Sequence, residues 1–179
     1  MVQGVADYAV SLYFQDSSGI YVNLFAPSQV RWNAGGVPVR LIQSTEYPNG
    51  DAIELRVDVP KAVEFAIRVR MPAWLSGAAS VSVNGKSVDV AAERKTFATI
   101  RRRWKKNDTV EVKLPFGDRT EAIDDRHTDT VALMRGPLMM VAVNAPDGTP
   151  ELGAPGLRFA PFYTVRGEKY TTYFKKRVG

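Results

Sequence analysis

The sequence predicts an all-β fold, an antiparallel β-sandwich of the jelly-roll kind. Three observations carry that expectation. Short segments alternate apolar and polar residues with the period of two that a half-buried strand requires. Turn-forming Gly, Pro, Asn and Asp residues punctuate them at short intervals, so the chain reads as about ten strands. The strand–helix alternation of a nucleotide-binding sheet is absent. With 179 residues and 45% hydrophobic content, the chain suits one domain, or one domain with an appendage, and can fill an apolar core.

The elements follow in order. "VADYAVSLYF" places Val5, Tyr8, Ala9, Leu12 and Tyr13 at helical spacing, which predicts a short N-terminal helix within residues 1–18. In "AIELRVDVP", Ile53, Leu55, Val57 and Val59 share one face, and Glu54, Arg56 and Asp58 the other. In "EFAIRVRMP", Phe65, Ile67, Val69 and Met71 point one way, and Arg68 and Arg70 the other. "SVSVNGKSVDV" sets Asn84-Gly85 between two alternating runs, a hairpin signal because both residues tolerate positive φ. "WKKNDTV" reads as a further hairpin tipped by Asn107-Asp108, followed by Val110, Val112 and Leu114 on one strand face. Pro60, Pro72 and Pro115 close strands, where a lost N–H costs little. "YPNGD" and "PDGTP" are turns, and "TEAIDDRH" reads as a loop. Residues 144–156 hold three prolines and three glycines and read as a linker. "APFYTVRGEKYTTYF" reads as two strands around Arg166-Gly167. The expected division is a helical remnant (1–18), a sandwich (19–143), a linker (144–157) and C-terminal strands packed on the sandwich (158–179).

Composition excludes several chemistries. The chain has no cysteine, hence no disulfide, cysteine-ligated zinc or cysteine nucleophile, while the compartment stays open. No apolar run reaches the ~18 residues of a membrane helix, so no membrane partner is expected. The richest stretch, "VALMRGPLMMVAV", is interrupted by Arg135 and Pro137. The N-terminus shows neither the basic nor the apolar region of a secretory leader. Phosphate-cradling glycine motifs and G-x-S-x-G are absent. The single histidine, His127, sits among Asp124, Asp125 and Asp129. Those three carboxylates could hold a hard cation, but the segment lacks the spacing and sharp-turn glycine of a calcium loop and reads more simply as an acidic connection. No cofactor is expected.

Carbohydrate contact has better candidates. The C–H face of a sugar packs on an aromatic ring. Trp32, in the polar stretch "SQVRWNAGG", and Tyr47 are the rings best placed for it. Trp74 and Trp104 sit at strand ends and read as plugs of the core edge. Glu46, Asp51, Glu54 and Asp58 lie close in sequence, but charges on the wet face of a strand are expected anyway, so no catalytic residue is assigned.

"TIRRRWKKNDT" poses the sharpest alternative. Five cations between Arg101 and Lys106, interrupted by Trp104, are what a nucleic-acid groove uses. Strand parity favours a different reading, in which Ile100, Arg102 and Trp104 share the inward face and the other cations coat the wet side. Arg102 would then need a carboxylate or carbonyl partner. The net charge of +5 supplies only a non-specific field.

Six segments, in order, carry a family resemblance: "GIYVNLFAPSQVRW", "VRLIQSTEYPNGDAIELRV", "FAIRVRMPAW", "VSVNGKSV", "IRRRWKKNDTVEVKLP" and "VALMRGPLMMVAV". Together they resemble the C-terminal half of the β-L-arabinofuranosidase-like enzymes of glycoside hydrolase family 127, from about Gly19 to Phe174. "FAPFYTVRGEKYTTYF" is similar to the segment often appended to that family's sandwich. The resemblance implies a preceding (α/α)₆ barrel that carries a glutamate acid/base and a cysteine nucleophile in a zinc site. It also implies that the sandwich packs on that barrel. Where the family has Gly-Asp after the tryptophan, this chain has Asn107-Asp108, and asparagine also tolerates the left-handed region. The expected role is a non-catalytic sandwich that supports the catalytic barrel and contributes to carbohydrate binding, in a chain that is not itself an enzyme. A stand-alone carbohydrate-binding module is the alternative. Nucleic-acid binding through Arg101–Lys106 ranks below both.

Overall fold

Residues 10–145 and 147–176 are described by the computed structural model of the protein. The chain divides into two units, one ending at Pro115 and one beginning at Phe116. The first holds β1 (Tyr13–Asp16), β2 (Gly19–Val22), β3 (Ser28–Ala34), β4 (Val37–Thr45), β5 (Ala52–Asp58), β6 (Val63–Arg70), β7 (Ser80–Val83), β8 (Lys86–Ser87), β9 (Phe97–Trp104) and β10 (Thr109–Lys113). They form a four-stranded sheet, β1-β2-β6-β9, and a six-stranded sheet, β3-β4-β5-β10-β7-β8. Neighbours are antiparallel except β2 and β6, which run parallel because the chain crosses to the other sheet between them.

The alternation read from the sequence sets the core. Ile53, Leu55 and Val57 of β5, Phe65, Ile67 and Val69 of β6, and Val110 and Val112 of β10 are all buried. One apolar cluster draws on both sheets, as a sandwich requires. Ala66 is also buried, although it faces outward on β6. It lies against Gly19, where an added Cβ would meet the Ala66 carbonyl oxygen at 2.0 Å. Only glycine lets the two parallel backbones approach this closely.

Three expectations need correction. The helical spacing of "VADYAVSLYF" does not extend through Tyr13, which opens β1. Val5, Tyr8 and Ala9 lie outside the described residues. Tertiary bonds override the local pattern here: Tyr13 pairs with Val22, and its hydroxyl lies 2.8 Å from the Ser28 hydroxyl and accepts from Gln43 Nε2 at 2.9 Å. Second, "WKKNDTV" is no hairpin. β9 pairs with β6 in one sheet and β10 with β5 and β7 in the other, so residues 105–108 arch between sheets. Third, the first three residues of "TEAIDDRH" belong to the strand Asp118–Ala122, which pairs with residues 131–135, while residues 123–127 form the loop expected of them.

The arch is held by a buried carboxylate. Asp108 Oδ2 accepts the Lys105 N–H at 2.8 Å, and Oδ1 accepts Asn84 Nδ2 at 2.8 Å. Asn84 Oδ1 accepts the Thr109 N–H at 2.8 Å. Val57 and the arch exchange two backbone bonds, Asn107 N–H to Val57 O and Val57 N–H to Asp108 O, both 2.8 Å. Burial pushes the Asp108 carboxyl up, but these hydrogen bonds and the charges of Arg102 and Lys105 outweigh it and hold the group below its usual range. Asn107 takes φ 65°, the left-handed value that asparagine tolerates. The Asn84-Gly85 hairpin forms as expected, with φ 51° and 76° and Val83 opposite Lys86.

The second unit is a separate sheet: β11 (Asp118–Ala122), β12 (Thr130–Arg135), β13 (Leu138–Val143) and β14 (Arg158–Pro161), with β15 (Tyr170–Thr171) on β13 and β16 (Tyr173–Lys175) on β12. Its own cluster joins Ala142, Ala145 and Phe174 to Leu133, Leu152, Leu157 and Phe159. The boundary in strand pairing therefore falls at Pro115, whereas the sequence division continues the sandwich to residue 143. Residues 144–157 are also stitched to the sheet: the Leu152 N–H donates to Lys175 O at 2.9 Å.

Candidate functional site

Trp32 lies on the inward face of β3, an edge strand of the six-stranded sheet. At an edge, an inward ring is covered on one side only, and Trp32 is half-buried. Its inner side packs edge-on against Phe65, with ring centroids 5.2 Å apart. Its other side borders a groove of about 570 Å³ lined also by Asn33, Pro38, Arg40, Asp58 and Lys106. Arg40 Nε and Nη2 both donate to Asp58 Oδ2, at 3.0 and 2.6 Å. The groove thus offers a half-buried ring, a guanidinium oriented by Asp58 and the polar side chains of Arg31, Asn33 and Lys106 beside apolar Pro38, Val39, Val59 and Pro60, the kind of lining that orients a small ligand.

Tyr47 belongs to a different hollow, of about 290 Å³, lined with Leu12, Asn23, Phe25, Arg70 and Pro72. Its ring meets Phe25 edge-on at 5.3 Å and stacks on Trp74 at 6.3 Å, with 25° between planes. Burial raises its phenol above the usual range, against the opposing charge of Arg70. Trp32 and Tyr47, paired as candidates in the sequence, line separate hollows. Ring identity is written in the sequence, but which hollow receives it depends on strand order.

The acidic segment does not assemble. Asp124 Oδ1 accepts the backbone N–H groups of Arg126 and His127, both at 2.8 Å, and the same carboxylate meets His127 Nδ1. Asp129 pairs with Lys175 at 2.9 Å. Among the described residues no three His, Asp or Glu side chains form a metal-holding group, and Asp125 lies in the turn beside Asp124. The carboxylates near residue 50 are likewise dispersed. Asp58 is engaged by Arg40, and Glu54 is exposed opposite Glu111.

The basic run resolves into an edge strand. β9 ends the four-stranded sheet. Trp104 is completely buried and its indole N–H donates to Phe65 O at 2.9 Å, the core plug expected of it. Arg102 shares the inward parity but not the burial: its side chain keeps 40% exposure, stacks 5.3 Å over the Trp104 ring, and lies 4.0 Å from Asp108. Having no neighbour beyond it, an edge strand lets an inward cation reach water past the sheet. Arg101 and Arg103 take the wet face, where Arg101 pairs with Glu64. Inward charges and basic side chains along an exposed edge block pairing with another chain, which accounts for the cluster without a phosphate ligand.

Fold and groove together define a β-sandwich module with ligand-sized hollows. A family model, "Beta-L-arabinofuranosidase, GH127 middle domain", matches residues 19–116, more than half of the chain. The chain belongs to this GH127 middle-domain family. Among solved structures, it is similar to a GH127 β-L-arabinofuranosidase from Geobacillus stearothermophilus T6, with 24% identity and a TM-score of 0.78, over 97% of this chain and 36% of that one. A glycoside hydrolase gives 21% identity and a TM-score of 0.73, over 92% of this chain and 37% of that one. A GH127 β-arabinofuranosidase gives 21% and 0.72, over 93% of this chain and 36% of that one. At these identities the likeness is one of fold, and the chain spans little more than a third of each of those structures. A comparison with curated proteins finds no match.

Proposed function

We propose that this chain is the non-catalytic β-sandwich portion of a glycoside hydrolase, which supports a catalytic barrel and contributes carbohydrate contact. The observation that carries the reading is the family match over residues 19–116 in a chain spanning 36% of a solved β-L-arabinofuranosidase. The cysteine nucleophile that the resemblance implies has no counterpart in a sequence without cysteine. Within the described residues, Asp58, the carboxylate lining the groove, is engaged by Arg40, a poor setting for a poised acid–base pair.

The groove beside Trp32 is the first place for carbohydrate contact, with Arg40 and Asp58 to orient hydroxyls. The purified chain should fail to hydrolyse an aryl β-L-arabinofuranoside or related arylglycosides. Turnover that co-purifies with the folded chain through successive columns overturns the non-catalytic role.

A further inference from the structure

The second unit carries a cluster of aromatic rings that its core does not use. Phe162, Tyr163 and Tyr170 retain 47%, 48% and 45% exposure, in a unit that buries Phe174 completely. The three rings line one hollow of about 380 Å³ together with Val165, Arg166 and Glu168. That volume lies in the range of roughly 300–1,000 Å³ typical of small-ligand pockets.

The hollow is built from locally fixed backbone. Phe162–Thr164 form a 3₁₀ turn after Pro161, closed by the Val165 N–H to Phe162 O at 3.2 Å and by Thr164 Oγ1 to Pro161 O at 2.7 Å. Tyr170 pairs with Val143 across β15 and β13. The Phe162 and Tyr170 ring centroids are 5.4 Å apart with 58° between planes, so the rings form a corner. Glu168 Oε2 accepts the N–H groups of Arg166 and Gly167, at 2.9 and 3.0 Å. Those backbone bonds, assisted by the nearby charge of Arg158, hold the Glu168 carboxyl down to about 2. It is therefore an oriented anion at neutral pH.

We infer that this hollow is a saccharide subsite, with Phe162, Tyr163 and Tyr170 stacking on the C–H faces of one or two sugar units and Arg166 and Glu168 binding their hydroxyls. The inference rests on the reading of the chain as part of a glycoside hydrolase. Aromatic rings flanked by one cation and one anion suit a neutral polyol. The fixed carboxylate of Glu168 repels phosphate, which disfavours nucleic acid. The hydroxyl of Tyr170 can both donate and accept, as vicinal sugar hydroxyls need.

The test is isothermal titration of the purified chain with linear arabino-oligosaccharides, with cello-oligosaccharides as a second probe. Saturable binding is expected, weakened at least tenfold by Tyr163→Ala and by Glu168→Gln, and unchanged by Lys86→Ala, an exposed residue that lines neither this hollow nor the groove beside Trp32. Because Tyr170 anchors β15, Tyr163→Ala serves as the variant least disturbing to the sheet, and circular dichroism should show it folded. Absence of heat with both probes overturns the proposal. So does binding lost in Trp32→Ala and kept in Tyr163→Ala, which would place the sugar in the first groove and leave the proposed function standing. Concentration-dependent dimerisation abolished by Tyr163→Ala, without sugar binding, overturns it in favour of a second copy of the chain. Turnover of arylglycosides by the chain would refute the non-catalytic reading and leave this subsite untouched.

Discussion

Replacing Asp108 by alanine tests whether the inter-sheet arch is held by its carboxylate. The substitution removes two acceptors at 2.8 Å, one for the Lys105 N–H and one for Asn84 Nδ2. Hydrogen bonds to a charged group contribute about 1.5–3 kcal/mol each, and buried donors left without partners cost a similar amount. Asp108 is only 8% exposed, so water replaces the lost acceptor poorly. Partial relaxation of the arch should reduce the sum, giving a loss of about 3 kcal/mol. With an m-value of about 1–3 kcal/mol/M, the urea midpoint of the unfolding transition should fall by about 1–3 M. Asp108→Asn should lie between wild type and Asp108→Ala, because its amide can still accept from Lys105 but presents a donor to Asn84 Nδ2. The pH dependence has a definite sign. A carboxyl held below its unfolded value contributes stability that is fully present above about pH 4, and loses it as pH falls through the folded value. The gap between wild type and Asp108→Ala should therefore narrow on acidification below about pH 4. A midpoint change equivalent to less than about 0.5 kcal/mol, the range of ordinary surface substitutions, would refute the reasoning. So would a gap that widens in acid.

Two further substitutions probe the packing between and within sheets. Gly19→Ala puts a Cβ 2.0 Å from the Ala66 carbonyl oxygen, so one backbone must move. A loss of about 3 kcal/mol is expected by chemical denaturation, and retention of wild-type stability would mean that β2 and β6 are not in this register. Trp104→Phe keeps a ring in the core but leaves Phe65 O without its donor, at about 1–3 kcal/mol. Trp104→Ala opens a cavity as well and should cost about 3–5 kcal/mol, and a Trp104→Phe variant as stable as wild type would contradict the assignment of that hydrogen bond.

Strand faces were legible in the sequence because side-chain direction alternates with a period of two whatever the strand pairs with. Ile53, Leu55, Val57, Phe65, Ile67, Val69, Val110 and Val112 could be placed in the core from alternation alone. The Asn84-Gly85 hairpin was legible for a similar reason, since the required dihedrals belong to the residues themselves. The order of segments was sufficient to place the chain beside the GH127 enzymes.

Sheet membership lay beyond the sequence. Asn107 at φ 65° serves an inter-sheet arch as well as a hairpin tip, so turn chemistry could not tell whether β9 and β10 are partners. The two site rings show the same limit, because Trp32 and Tyr47 line different hollows once the strands are ordered. Arg102 carries the lesson furthest. Parity alone turned it inward and required a carboxylate or carbonyl partner, which Asp108 supplies at 4.0 Å, but only the edge position of β9 gives its guanidinium a way out over Trp104 to water. The exposed rings of Phe162, Tyr163 and Tyr170 are ordinary strand-region aromatics in the sequence. Only the 3₁₀ turn and the pairing of β15 with β13 bring them around one hollow. The sequence by itself determined which side chains face inward and which turns are possible, because both are local. Tertiary structure decided which strands are neighbours, which lie at an edge and which rings meet, because pairing depends on residues far apart in the chain.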